Sequence, residues 1–167
     1  MYVVPPMDEM LAQDDIIDGC PLFTLKPDGP VVDLMRMPDR WEARVIILTQ
    51  ACDLVQAKKR KVVVAWVREA QELVEDSTFK AQTIRDQVRR HQVFGWYFLP
   101  SNVPASMPES LVDFGDLHTV DRAVLEHLVG LGKRVCRLVT PFREHHNRHL
   151  GVTYSRIGLP EPYATEA

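Results

Sequence analysis

Two stretches decide the fold: Arg44-Val45-Ile46-Ile47-Leu48-Thr49 and Val62-Val63-Val64-Ala65-Trp66-Val67. Both are rich in β-branched residues, which favour extended backbone. Their apolar character is continuous rather than alternating, so each predicts a strand covered on both faces and paired with the other inside a sheet. Outward from this pair, Ile16-Ile17 and Leu22 to Leu25 read as strands separated by the Gly19-Cys20-Pro21 break. Pro27-Asp28-Gly29-Pro30 reads as a turn before a short strand from Val31 to Met35. Phe94 to Leu99 is a further strand, stopped by Pro100, while Leu111 to Phe114 and Leu117 to Val120 read as two short extended pieces.

Helical signals lie between and after these strands. Arg68 to Gln92 lacks Gly and Pro and carries a thin apolar stripe of Leu73, Val74, Phe79, Ile84 and Val88, which predicts a surface helix broken near Asp76-Ser77-Thr78. Asp121 is placed to cap a helix running to about Leu128, and Arg134 to Val139 fits either strand or helix. Thr140-Pro141 opens a final helix, with Thr140 as N-cap, Pro141 at the first helical position and an end near Ile157-Gly158. The pattern predicts an α+β fold: a small, strongly bent antiparallel sheet with a helical insertion and a C-terminal helix. Residues 1–160 are expected to form one domain, with 161–167 a loose tail.

Composition narrows the class. The 167 residues are 46% hydrophobic and 26% charged, values that exclude a collagen-like or wholly disordered chain. Twenty Lys+Arg against 23 Asp+Glu give a net charge of −3, which excludes a uniformly basic coat but not a local basic patch. No apolar run approaches the roughly 20 residues of a membrane-spanning helix, and no basic-then-apolar leader opens the chain. Cys20, Cys52 and Cys136 are odd in number and widely spaced, as reduced cytoplasmic thiols are. No cofactor and no metal site is read, no membrane is expected, and the oligomeric state stays open. The first 33 residues carry seven acids against one base, Lys26, beside a basic middle, an arrangement that is either self-complementary or leaves a basic face for phosphate.

Four groups of residues carry candidate chemistry. Thr49-Gln50-Ala51-Cys52-Asp53 follows the best strand directly, and Cys52 is a nucleophile there if a histidine such as His145 reaches it. Asp53 opposes this by raising the thiol pKa, and the alternative is a small buried Cys52 in a turn tied by Gln50 and Asp53. His145 and His149 stand one helical turn apart, a metal-sharing spacing, although His-Glu-x-x-His is absent. Lys58-Lys59-Arg60-Lys61 lies between the two central strands. With Arg85, Arg89 and Arg90 and the aromatics Trp96 and Tyr97 it makes either a nucleic-acid surface or a solvated edge. Arg143 and Glu144, with Arg156 in the last turn, are expected to clamp the final helix to the Gln50–Asp53 turn through an Arg143–Asp53 pair. Gly130-Leu131-Gly132 is not a phosphate loop, and there is no Gly-x-Ser-x-Gly elbow.

The order Asp15-Ile-Ile17, Arg44-Val-Ile-Ile-Leu-Thr49 and Val62-Val-Val-Ala65 is similar to the front half of PemK/MazF-like toxins, over about a third of the chain. That resemblance implies an SH3-like β-barrel as the form the bent sheet takes, and a diverged ribonuclease as one activity. The sequence departs from the family where Ala43-Arg44 replaces an Arg-Pro pair and Trp66-Val67-Arg68 replaces a Pro-x-Thr, while Thr49 matches the Ser/Thr at the strand end. Thr49-Gln-x-Cys52-Asp-Leu, Trp96-Tyr-Phe-Leu-Pro100, Val112-Asp-Phe114, Pro141-Phe-Arg-Glu144 and Arg156-Ile-Gly-Leu-Pro160 together resemble a group of bacterial and phage proteins without an assigned activity. This second resemblance implies a prokaryotic or phage origin and a mobile-element or defence setting. The expected function is a non-enzymatic binding module contacting nucleic acid or a protein partner. The alternative is an enzyme, either that ribonuclease or a Cys/His-centred hydrolase.

Overall fold

A computed structural model describes residues 1–24, 38–55 and 60–155. The expected 27–30 turn and 31–35 strand, the residues Lys58, Lys59 and Arg156, and the 161–167 tail lie outside the described residues. The chain is α+β, as expected. Its strands are β1 (Tyr2–Val3), β2 (Asp15–Thr24), β3 (Asp39–Ile47), β4 (Lys61–Glu69), β5 (Trp96–Leu99), β6 (Ser110–Asp121) and β7 (Arg134–Leu138). The helices are α1 (Ala51–Val55), α2 (Ala70–Glu75), α3 (Ala81–Asp86), α4 (Arg122–Gly130) and α5 (Phe142–Tyr154), with 3-10 turns at Val88–Arg90 and Val103–Ala105.

All seven strands form one antiparallel sheet in the order β1-β7-β2-β3-β4-β6-β5. Its two ends, β1 and β5, are different strands that do not pair, so the sheet is open and no barrel closes. β3 and β4 pair as their composition requires, with Ile46 opposite Ala65 and Ile47 opposite Val64. Their continuous apolar runs are explained by layers on both faces. Val45, Ile47, Val62 and Val64 pack with Leu125, Leu128 and Val129 of α4. Ile46, Leu48, Ala65 and Val67 face the other way, into a core that includes Tyr97, Phe114 and Leu150 of α5.

Two expected strand breaks are bulges instead. β2 runs through Gly19, whose φ of +71° suits glycine, and its register slips between Ile17 and Cys20. β6 is a single strand whose register against β4 shifts where Ala65 pairs with Leu117 but Trp66 pairs with Asp113. A bulge absorbs extra residues without ending a strand, so local glycine signals overstated both interruptions.

The expected long helix is two, α2 and α3. Ser77 takes a φ of +64° between them, and the Asp76 carboxylate accepts the Thr78 N–H at 2.9 Å. Leu73, Ile84 and Val88 pack this insertion on Phe98 and Leu111. Among the described residues the acidic leader pairs with the basic middle only through Asp18 and Arg44, 2.5 Å apart. Asp15 instead accepts from β7, from Arg137 Nε at 2.6 Å and Arg134 Nη1 at 3.2 Å, and Arg134 also donates to the carbonyl of Glu9 at 2.9 Å. No described helix is long and apolar enough to cross a membrane.

Candidate functional site

The end of β3 builds one wall of a groove. Leu48 N–H donates to the Val63 carbonyl at 2.9 Å, and Val63 N–H donates to Thr49 Oγ1 at 2.8 Å. The Thr49 hydroxyl thus prolongs the β3–β4 ladder with a side chain where the backbone turns away. The Gln50 carbonyl then accepts from the amides of Asp53 (3.0 Å) and Leu54 (3.2 Å), which starts α1. Leu54 is buried beneath it, and its carbonyl accepts from Arg122 Nη1 at 2.7 Å. A five-residue helix is too short to hold itself, so these contacts fix the turn.

The opposite wall is α5. Arg143, Asn147, Leu150 and Tyr154 recur at helical spacing and present one stripe to the groove. Asn147 anchors the stripe: its Nδ2 donates to Asp14 Oδ2 at 3.1 Å and its Oδ1 accepts from Gln13 Nε2 at 2.7 Å. Tyr154 donates its hydroxyl hydrogen to the Phe114 carbonyl. Between the walls lies a volume of about 1080 Å³, floored by Leu48, Val63, Leu117 and Leu150 and rimmed by Gln50, Cys52, Asp53, Lys61, Arg143 and Glu144. The floor continues the core face of β3, β4 and β6 past the end of its helical cover.

The structure therefore brings Gln50, Cys52, Asp53, Lys61, Arg143 and Glu144 around one groove. Their expected bonding differs. Arg143 lies 3.2 Å from Glu144 Oε1, its sequence neighbour, in place of the clamp on Asp53. Glu144 is held below the ordinary carboxylate range by its own backbone N–H, the Thr140 hydroxyl and Arg143. Cys52 is exposed rather than a buried hydrophobe, and its thiol donates to Gln50 Oε1 at 3.7 Å.

Cys52 and His145 do not come together. His145 leaves α5 on roughly the opposite side from the groove stripe, and its Nδ1 lies 3.1 Å from the Tyr97 hydroxyl. Helical geometry alone thus removes the Cys/His dyad. His145 and His149 do share a face, but they meet His91 and Tyr97 there, and no group of three metal-ligating side chains occurs among the described residues. His118 stands across the sheet, edge-on to Trp41 and 2.9 Å from Asp116 Oδ1.

Of the first basic cluster, Arg60 and Lys61 are the described members. Lys61 opens β4 and Glu69 closes it, and the helical insertion bearing Arg85, Arg89 and Arg90 follows. β4 itself spans about 26 Å over its nine residues. Arg60 Nε pairs with Asp121 at 2.8 Å, and Arg89 sits 5.2 Å over the Phe98 ring. Arg85 and Arg89 line a smaller cavity of about 310 Å³ together with Glu69 and Glu109. Trp96 packs edge-on to Phe79 and Tyr97 is buried, so neither offers a stacking surface.

Sequence reasoning missed Gln13, Asn147 and Tyr154. The last two lie four and eleven residues beyond Arg143, so the helical period carried a signal for them. Gln13 carried none. No protein-family model matches this chain, and no curated protein matches it, so its site is read from geometry alone.

Proposed function

We propose that the protein is a non-enzymatic binding module whose groove between α1 and α5 takes an extended segment of a protein partner. The observation that carries this reading is the open apolar floor of Leu48, Val63, Leu117 and Leu150 between two anchored walls. Val63 is 37% exposed in mid-strand although its neighbours Val62 and Val64 are fully buried. The rim carries both signs of charge, Lys61 and Arg143 against Asp53 and Glu144, which suits a mixed polypeptide better than a uniformly negative strand. Arg60 and Lys61 stand at the opposite end of β4 from the helical insertion bearing Arg85, Arg89 and Arg90, which weakens the nucleic-acid reading further. The ribonuclease reading is not favoured either, because Trp66-Val67-Arg68 stands where the family has its Pro-x-Thr and the Thr49 oxygen accepts the Val63 amide.

The same reading takes the protein to be cytoplasmic, with Cys20, Cys52 and Cys136 all free thiols. The resemblance to bacterial and phage proteins supports a prokaryotic mobile-element or defence setting for the partner.

Selection of a displayed peptide library on the wild type, counter-screened on Val63→Asp, tests the proposal. Anisotropy titrations of short RNA and DNA at two salt concentrations run alongside. Expected are peptides that lose at least tenfold in affinity on the variant, with oligonucleotides neither bound tightly nor cut. Peptides indifferent to Val63→Asp, salt-sensitive oligonucleotide binding without such peptides, or cut strands overturn it.

A further inference from the structure

Four of the six histidines gather around one tyrosine. Ring centroids of His91, His145, His146 and His149 lie 4.6, 5.6, 4.9 and 5.8 Å from that of Tyr97. Three of them come from α5, while His91 ends the 3-10 turn before β5, in a left-handed conformation with φ +55°. His91 is also 4.6 Å from His145 and 5.7 Å from His149, centroid to centroid. This is the seam along which α5 rests on β5.

The surrounding groups decide how the seam answers protons. From the N-terminal segment, Asp14 faces His146, with Oδ1 2.7 Å from Nδ1 and both side chains fully buried. From β5 the Tyr97 hydroxyl meets His145, and from β6 the uncharged Phe114 ring meets His146 and His149. On the 3-10 turn Arg89 is turned to Phe98, and Arg90 is exposed, as is Arg148 on α5. Met1, which bears the α-ammonium, lines the same cavity as His91 and His145, and the charges that act on His91 and His149 are those of other imidazoles. Burial, with His145 and His149 adding to it, pushes His91 down to about 4, and burial likewise lowers His149, against the opposing pull of the Val93 and Trp96 backbone.

We propose that the histidine seam is a proton-operated latch for α5, closed when His91 and His149 are neutral and released when they take up charge. The sign follows from linkage. Above pH 6.5 His91 is neutral whether α5 is docked or released, and the latch is at full strength. As pH falls toward 4, any conformation that frees His91 binds a proton that the docked one refuses. With 6.5 free and about 4 docked, His91 alone favours release by roughly 30-fold at pH 5. His146 is bonded to Asp14 and His145 to Tyr97, whereas His91 Nδ1 is buried with no hydrogen-bond partner among the described residues, so His91 is the sensor. Because α5 walls the groove, release also opens the partner site, a consequence that rests on the binding reading given above.

Amide hydrogen exchange at pH 7.5 and pH 5, corrected for intrinsic rates, tests the latch without any partner. Expected is at least tenfold more opening of α5 amides at pH 5, with β3 and β4 amides unchanged, and loss of most of that difference in His91→Phe. Equal α5 protection at both pH values, or the same pH difference in wild type and His91→Phe, overturns the latch. Should the variant fail to fold, wild-type histidine ring-proton NMR decides: a His91 midpoint well below 6 supports the latch and one near 6.5 overturns it. None of these readouts uses the groove, so a failure of the binding reading leaves them standing.

Discussion

Asp15 and Arg134 form an ion pair of 3.2 Å with side chains 0% and 3% exposed, and Arg137 closes on the same carboxylate. Removing Asp15 strands the buried Arg134 without its counter-charge and leaves Arg137 with Glu9 alone. Asp15→Ala is therefore expected to cost about 3–5 kcal/mol. Urea unfolding checks this, and a loss below ~1 kcal/mol would contradict it. Arg134 also holds the Pro6, Glu9 and Met10 carbonyls, so the variant should be nicked by protease first in the segment before β2.

The Thr49 hydroxyl is a structural acceptor. Thr49→Val keeps the shape and leaves the Val63 N–H without its 2.8 Å partner, at an expected cost of about 1 kcal/mol. Thermal or urea midpoints of the two proteins give the number. Thr49→Ser, which restores the oxygen, should recover most of it.

Thiol chemistry separates the three cysteines. Cys20 and Cys136 are buried, and burial pushes their thiols up to about 11 and about 12. Cys52 is exposed at the groove rim. A thiol-reactive disulfide reagent at pH 8 should modify one cysteine in the native protein and all three after unfolding, and mass spectrometry should place the first on Cys52. Fast native labelling of Cys136 would show that α5 does not seal its side of the sheet.

Asp76, at the break between α2 and α3, is held down to about 2, first by the Thr78 hydroxyl and the Arg68 guanidinium and then by the Thr78 N–H. A carboxylate depressed in the folded state adds stability that is fully present above its free value of 3.8 and is lost as pH falls through 2. The gap in stability between wild type and Asp76→Asn should thus be constant from pH 7 to 5 and narrow between pH 4 and 2. Denaturation midpoints across that range test it, and a gap that widens toward acid would reverse the assignment.

The central pairing was legible because continuous β-branched runs leave little choice but a strand covered on both faces. Asp121 was equally plain, and its Oδ1 does accept from Ala123 N–H at 3.2 Å. The opening of α5 was read less well. Pro141 stands before the helix and not in it, and the Thr140 hydroxyl donates to the Glu144 carboxylate at 2.9 Å instead of capping an amide. Strand breaks at Gly19 and near Gly115 were overread, since the sheet supplies partners on either side that no local signal contains. For the site, periodicity placed His145 and His149 on one face but could not supply what they meet. His91 and Tyr97 reach them through contacts some fifty residues away in sequence, set by where β5 docks. Gln50, Asp53, Arg143 and Glu144 were expected together through an Arg143–Asp53 pair; they line one groove, but Arg143 pairs with Glu144.

The strands at the sheet margins bear on self-association. β1 contributes two residues and β5 four, the latter followed directly by Pro100. Beyond those stubs the margin passes to β6 from Leu117 to Asp121 and to β2 from Cys20 to Thr24, stretches paired on one side alone among the described residues. Long, flat margins are what recruit further copies into fibrils. A further strand, whether of a partner or of a second copy, would add along these two stretches rather than at the stubs.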